Sequence, residues 1–309
     1  MEQTLVDSSK YRIFSLSVDS RFAATKFKGT ADFLTRLPQT YRNIMRVALS
    51  SVELPLVEYL FSGVNACGAG HGNINFTVDL SGERIGFEIA EGNYTSTELA
   101  AAIQTQLQTA GGAQDWAAFT CVVNPITGLV TIAHPSAQFS FNGYSTTDPI
   151  AERPAYWGLG YYLGLRSGIS TTTGFITATG PDASGGYAIT GSSVVLTVPT
   201  PYYLLQLETP DVLENITHCV AAGGSVPAFA KLVLRDQFYM LQFVDNGDYM
   251  RKEFTYLAPS NIASLRVRLL DPWGAPVDMR DAEWSLTFEF YEVVNSRTAG
   301  RLNATWLRE

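Results

Sequence analysis

Near the C-terminus of this chain apolar and polar side chains alternate strictly, and this pattern limits the possible folds more than any other feature. In EWSLTFEFYEV, residues 283–293, Trp284, Leu286, Phe288 and Phe290 alternate with Ser285, Thr287 and Glu289. Successive side chains of a strand point to opposite faces, so this is a strand with one face in a core and the other in water. Antiparallel sheets with one solvated face are built from such strands. The same period recurs at Phe14, Leu16 and Val18, and at Met45, Val47 and Leu49. After Leu49 the phase slips across Ser50 and Ser51 to Val52 and Leu54. A slip of this kind marks a β-bulge, and bulges bend strands at the corners of sandwiches.

The texture changes between residues 67 and 190. INFTVDL and RIGFEIA predict a hairpin around SGE, with Ile85, Phe87 and Ile89 facing inward. A helix follows in TSTELAAAIQTQLQTAGG. Thr95 and Glu98 form a capping box, Leu99, Ala102, Ile103 and Leu107 make an apolar stripe, and Gly111 and Gly112 stop it. A second hairpin in FTCVVNPITGLVTIA turns through Asn124 to Gly128. Two hairpins flanking a helix suggest one small four-stranded sheet with the helix laid across it. Residues 170–193 are rich in Gly, Ser and Thr with almost no charge, and are expected to be a long loop, mobile or ordered only against a neighbour.

Strand patterns resume in VVLTVP, YYLLQLET, FAKLVLRD, FYMLQFV and LRVRLL, with VDNGD as a hairpin turn signal. About four strands precede the insertion and about six follow it, enough for an eight-stranded, two-sheet sandwich whose connections cross between sheets. The expected fold is mainly β: a single jelly-roll sandwich, residues 1–66 and 191–309, with an inserted small α+β domain, hairpin–helix–hairpin, at 67–190.

Composition narrows the functional classes. With 46% apolar and 16% charged residues the chain is far from the disordered class. A net charge of −8 argues against wrapping nucleic acid, which needs clustered Lys and Arg. Such low charge suggests that much of the outer surface is covered by other protein chains. Cys67, Cys121 and Cys219 are odd in number and far apart, so no disulfide framework is expected. No stretch approaches the ~20 apolar residues of a membrane span, and the N-terminus lacks a secretory pattern, which points to a chain made in a reducing cytosol.

Few residues suggest chemistry. Cys67 and His71 could pair with His218 and Cys219 around zinc, but the two pairs are remote and lack the usual spacing, so no metal is expected. GAGHG at 68–72 lacks the Lys-Ser/Thr of a phosphate loop and reads as a turn. Asp271, Asp278, Asp281 and Glu283 cluster in DPWGAPVDMRDAEW and could serve glycoside hydrolysis, although acids in such loops are ordinary turn-formers. Trp157, Tyr161, Tyr162, Tyr202 and Tyr203 could stack sugars, or be core or interface. Asp271, Pro272, Trp273, Gly274 and Trp284 are read instead as a structural corner. Asp271 and Pro272 end a strand, Gly274 permits the reversal, the last strand begins at Glu283, and the two tryptophans cap the open end of the sandwich.

The segments SVDSRF (17–22), ALSSVELP (48–55), GNYTSTEL (92–99), VVNPITGLVTI (122–132), LGLRSG (163–168), YYLLQLE (202–208) and LRVRLLDPWGAPVDMRDAEWSLTFEFYE (265–292) span nearly the whole chain. In their order and spacing they resemble minor capsid and penton-type jelly-roll virion proteins of large eukaryotic double-stranded DNA viruses and their smaller relatives. The resemblance implies a structural protein of the virion, made in the host cytoplasm and assembled as a homopentameric penton at capsid fivefold vertices. Its implied partners are further copies of itself, the major capsid protein and other minor capsid proteins. Neither enzymatic activity nor a cofactor is expected. Two other readings remain open: an attachment or glycan-binding protein that meets a host surface glycan or receptor through the insertion, and a polysaccharide-cleaving enzyme using the acidic cluster around Asp278.

Overall fold

The computed structural model of the chain describes residues 11–66, 68–144, 158–170, 173–198, 200–209, 217–221, 224–245 and 252–294. The chain divides into two compact units, Met1–Glu58 with Thr200–Glu309, and Tyr59–Pro199. These divisions lie outside the 66/67 and 190/191 boundaries read from the sequence. The first unit opens with β1 (Tyr11–Asp19), β2 (Thr25–Lys26) and β3 (Asp32–Pro55). The second holds β4 (Asn75–Leu80), β5 (Glu83–Glu88), helix α1 (Ser96–Gln108), β6 (Thr120–Val123), β7 (Val130–His134), β8 (Phe139–Asn142), the short helix α2 (Leu159–Tyr162), β9 (Ile176–Thr177) and β10 (Tyr187–Thr190). The first unit then resumes with β11 (Tyr202–Glu208), β12 (Thr217–Ala221), β13 (Gly224–Ala228), β14 (Ala230–Val233), β15 (Leu241–Asp245), β16 (Lys252–Leu270) and β17 (Ser285–Val293).

Two long strands organise the first unit. The C-terminal half of β3 pairs with β17, which pairs with β1. On its other side that half takes β15 (Leu241↔Pro55 to Asp245↔Ser51) and then the start of β16 (Lys252↔Leu49). The N-terminal half of β3 pairs with the far end of β16, which passes to β11 and then to β14. Two antiparallel layers result, β1-β17-β3-β15/β16 and β3-β16-β11-β14 with the two-residue β2 added on the outer edge of β3, because β3 and β16 each run through both. This is the strand order of a jelly roll, and the fold is mainly β, as the alternation predicts. Phe33, Ile44, Leu54, Leu286, Phe288 and Phe290 are fully buried in the core cluster of this unit. Each contributes about 1.5–3 kcal/mol by leaving water.

The bulge falls where the phase slip predicts it. Thr287 faces Ser51 and Phe288 faces Leu49, which leaves Ser50 as the extra residue. The bend between layers lies elsewhere, where β16 loses register with β3 between Thr255 and Ser264. Residues 246–248 of the VDNGD signal lie outside the described residues, and β15 and β16 on either side of it each pair with β3 instead of forming a hairpin with one another. Both lie along the same edge of β3 and run in the same direction, with a five-residue register shift between Asp245↔Ser51 and Lys252↔Leu49, because the long edge offers each a partner that the turn residues cannot specify.

In the second unit α1 starts at the expected capping box: the Thr95 side chain accepts from the Glu98 N–H, and the Glu98 carboxylate accepts from the Thr95 N–H at 2.8 Å. The helix buries Leu99, Ala100, Ile103 and Leu107, while Ala102 is half-buried. The single four-stranded sheet expected around it is replaced by two sheets, β5-β4-β8-β9 and β10-β7-β6. The first hairpin pairs onward with β8 through Val78↔Phe141 and its neighbours, so the second hairpin is left to pair with β10. Both β9 and β10 lie in the Gly/Ser/Thr-rich segment read from the sequence as a loop. Low charge and small side chains let this segment complete the edges of both sheets.

Candidate functional site

The corner begins where β16 ends at Leu270. The Asp271 N–H donates to the Ala275 carbonyl at 2.7 Å, and the Gly274 N–H donates to the Asp271 carbonyl at 3.0 Å. Asp271 Oδ1 accepts from the N–H groups of Trp273 and Ala275, both at 2.9 Å, so the carboxylate closes its own turn. Leu270 bridges Pro276, and the Val277 N–H donates to the Leu269 carbonyl, which doubles the chain back along β16. Gly274 sits at φ +88°, and a Cβ there would lie 3.1 Å from Val226. Only glycine takes this backbone without strain. Pro272 and Trp273 are half-buried.

Trp284 has different surroundings. It is buried, its Nε1–H donates to the Thr30 carbonyl at 2.8 Å, its N–H donates to Ser20 Oγ at 3.0 Å, and its ring meets Phe33 edge-on at 5.7 Å. It precedes β17, which starts at Ser285 rather than at the expected Glu283. The two tryptophans do not share one role. Trp284 is a core residue with both of its N–H groups satisfied, and Trp273 is a half-buried turn residue whose backbone N–H donates to Asp271 Oδ1.

The acidic residues of this segment are committed to structure. Asp278 accepts from the Arg280 N–H at 3.1 Å, and Arg280 and Asp281 hold consecutive left-handed conformations. Glu283 takes a hydrogen bond from Ser20 Oγ and an ion pair from Lys26 at 2.5 Å. Desolvation pushes the Glu283 carboxyl up, but the Lys26 ammonium and the Ser20 hydroxyl together outweigh it and leave its pKa below the usual value. A general acid for glycoside hydrolysis needs the opposite shift.

The candidate sugar-stacking aromatics are also engaged, each within its own unit. Tyr203 is buried and donates to Glu58 Oε2 at 2.7 Å. Burial raises its phenol well above the ordinary value, and the charges of Glu58 and Asp271 add to this. The Lys231 ammonium lies 3.9 Å from the centre of the Tyr202 ring. In the second unit Tyr162 is buried edge-on against Phe61, and Arg166 stacks over Tyr161 at 4.0 Å. Trp157 lies outside the described residues.

Of the histidines and cysteines, His71 is buried in a glycine turn in which a Cβ on Gly70 would fall 2.0 Å from the Gly63 carbonyl oxygen. His134 is held between the Asp115 carbonyl at 2.9 Å from Nε2 and the Ala137 N–H at 3.0 Å from Nδ1. Burial pushes the Cys121 thiol up to about 12. Cys67 and the side chains of His218 and Cys219 lie outside the described residues. Among the described residues no group of three His, Cys, Asp or Glu could hold a metal ion.

The most distinctive surface is one that the sequence reading passed over as an ordinary strand. In β15 and the residues before it, Tyr239 (66%), Met240 (53%), Leu241 (62%) and Phe243 (53%) are exposed, while the polar Gln242 is 4% exposed. The usual alternation is inverted. Gln242 turns inward because its Oε1 accepts from the N–H groups of Arg235 at 2.7 Å and Asp236 at 3.2 Å. Its neighbours are thereby sent to the outer face. The signal in the sequence is FYMLQF itself, in which a lone polar residue interrupts an apolar run.

No protein-family model matches the chain, and no curated protein matches it. Among solved structures, the crystal structure of the selenomethionine-labelled mavirus penton protein matches with a TM-score of 0.44 and 10% identity, over 92% of this chain and 100% of that one. No helix among the described residues is long and apolar enough to cross a membrane.

Proposed function

We propose that this chain is a non-enzymatic structural protein of a virion, a minor capsid protein that closes into a ring, most simply the pentameric penton of a fivefold vertex. The observation that carries the reading is the inverted strand β15 on a jelly-roll frame. A row of large apolar side chains held outward by a buried glutamine is a surface made for protein contact. The virion setting comes from the sequence segments that resemble penton-type capsid proteins. The roles found for Asp271 and Glu283, one closing a turn and the other held ionised, favour this reading over hydrolysis. A ring needs one heterologous interface repeated about an axis, so each copy presents two different faces. The major capsid protein and other minor capsid proteins are the neighbours such a ring would meet. In this assignment the second unit is the place for any contact with a host glycan or receptor.

The experiment is absolute mass by light scattering during size-exclusion chromatography, followed by particle class averages. A fivefold ring supports the reading. A strict monomer at high concentration overturns it and directs attention to glycan binding and turnover assays.

A further inference from the structure

We infer that the ring contact is strand addition: the β15 edge of one copy, Leu241–Asp245, pairs antiparallel with β1 of the next copy. This deepens the assembly reading above and rests on it.

The layer β1-β17-β3-β15 ends in two strands, each of which pairs on one side only among the described residues: β1 with β17, and β15 with β3. Edge strands are ordinarily protected by lysine, proline, bulges or short length. Residues 239–245 contain neither lysine nor proline, and pairing with β3 extends past the strand's start through Tyr239 and Met240 to Leu56 (Tyr239 N–H to Leu56 O, 2.7 Å; Leu56 N–H to Met240 O, 2.9 Å). Tyr239 holds a left-handed conformation, so the regular part of the edge is β15 itself, where Leu241 and Phe243 stand exposed and a further strand can be accepted.

Strand polarity selects the occupant. β1 is antiparallel to β17, β17 to β3, and β3 to β15, so β15 runs antiparallel to β1 of its own chain. A second copy rotated about an axis along the strands keeps that polarity. Its β1 then meets β15 antiparallel and continues the ladder without interruption. The contact uses different edges on the two copies, so it is heterologous and can close a ring. Faces agree as well. Leu241 and Phe243 oppose Pro55 and Glu53 on the outer side of the layer, and Ser15 and Ser17 oppose Glu289 and Thr287 on that same side. Ile13, exposed on β1, adds an apolar side chain to the outer surface that the joined strands would share.

The test uses the full chain. Leu241→Lys and Phe243→Lys place gatekeeper charges on the edge without touching the core. Each should weaken self-association about thirtyfold or more while leaving the unfolding temperature of the dissociated chain, measured at high dilution, unchanged. In parallel, Ser15→Cys with Phe243→Cys should form a disulfide between copies, mapped by mass spectrometry to peptides 11–19 and 239–245. Within one chain the two positions lie three strand spacings apart, about 14 Å sideways, and are further offset along the strands (Ser15 level with Ala48, Phe243 with Glu53), beyond the reach of a disulfide. Full assembly by both lysine variants together with no cross-link overturns the strand-addition contact and leaves the ring reading standing. A wild-type chain that never assembles overturns both.

Discussion

Arg266 donates from Nε and Nη2 to the two carboxylate oxygens of Asp32, each at 2.8 Å, across the ladder between β16 and β3. The Asp32 side chain is 5% exposed, and the Arg266 guanidinium, 31% exposed, lies over the Phe27 ring at 4.4 Å. Arg268 joins the same network through Glu208 and Gln206. A planar fork on a carboxylate fixes the geometry as well as the charge, and it sits where the two long strands of the jelly roll lie side by side.

Replacing Asp32 with Asn should therefore cost about 1.5–3 kcal/mol in denaturant unfolding, the range for a hydrogen bond to a charged group. The double change Asp32→Asn with Arg266→Gln should cost less than the sum of the two single changes. Strict additivity would mean that the pair stabilises nothing.

The two tryptophans should separate cleanly. Trp284→Ala removes a buried ring and orphans the Thr30 carbonyl, so about 3–5 kcal/mol of first-unit stability should be lost. Trp273→Ala, on the half-buried side of the turn, should cost well under half of that. Gly274→Ala should cost about 1–2 kcal/mol from its positive φ alone. Equal losses for the two tryptophans in urea titrations would contradict the different environments described for them.

Acid should loosen the second unit. The Glu83 carboxylate accepts from Trp116 Nε1 and from the Ala113 and Gln114 N–H groups, Glu98 closes the helix cap, and Asp182 accepts from Ser184 and Gly186; all three pKa values are lowered. A carboxyl depressed in the fold binds fewer protons folded than unfolded, so its stabilisation is present above the ordinary value near 4. It is lost as pH falls through that range toward the depressed values. Hydrogen exchange at residues 96–108 and 120–134 should be flat from neutral pH to about 5 and should lose protection below about 4, after correction for the intrinsic rate. Glu83→Gln should flatten that dependence, and an unchanged acid limb in this variant would count against Glu83 as a pH-sensitive tie.

Local chemistry made much of this legible beforehand. The alternation around Phe288 requires a half-buried antiparallel strand, Thr95 with Glu98 starts a helix, and the slip at Ser50 places a bulge, because each signal lies within a few residues of the structure it dictates. The exposed row at Leu241 and Phe243 was hidden. Hydrophobicity alone assigns those residues inward, and only the hydrogen bonds of Gln242 to the Arg235 and Asp236 N–H groups reverse the strand.

Strand type, helix start and turn chemistry thus belong to the sequence, because they depend on near neighbours. Partner choice belongs to the fold. That β3 and β16 pass through both layers, that β15 lies on β3 instead of folding back on β16, and that the second unit builds two sheets from its hairpins all follow from competition among distant strands for the same hydrogen-bonding edges. Backbone donors and acceptors are alike at every residue, so local pattern makes a strand but cannot name the strand it will pair with.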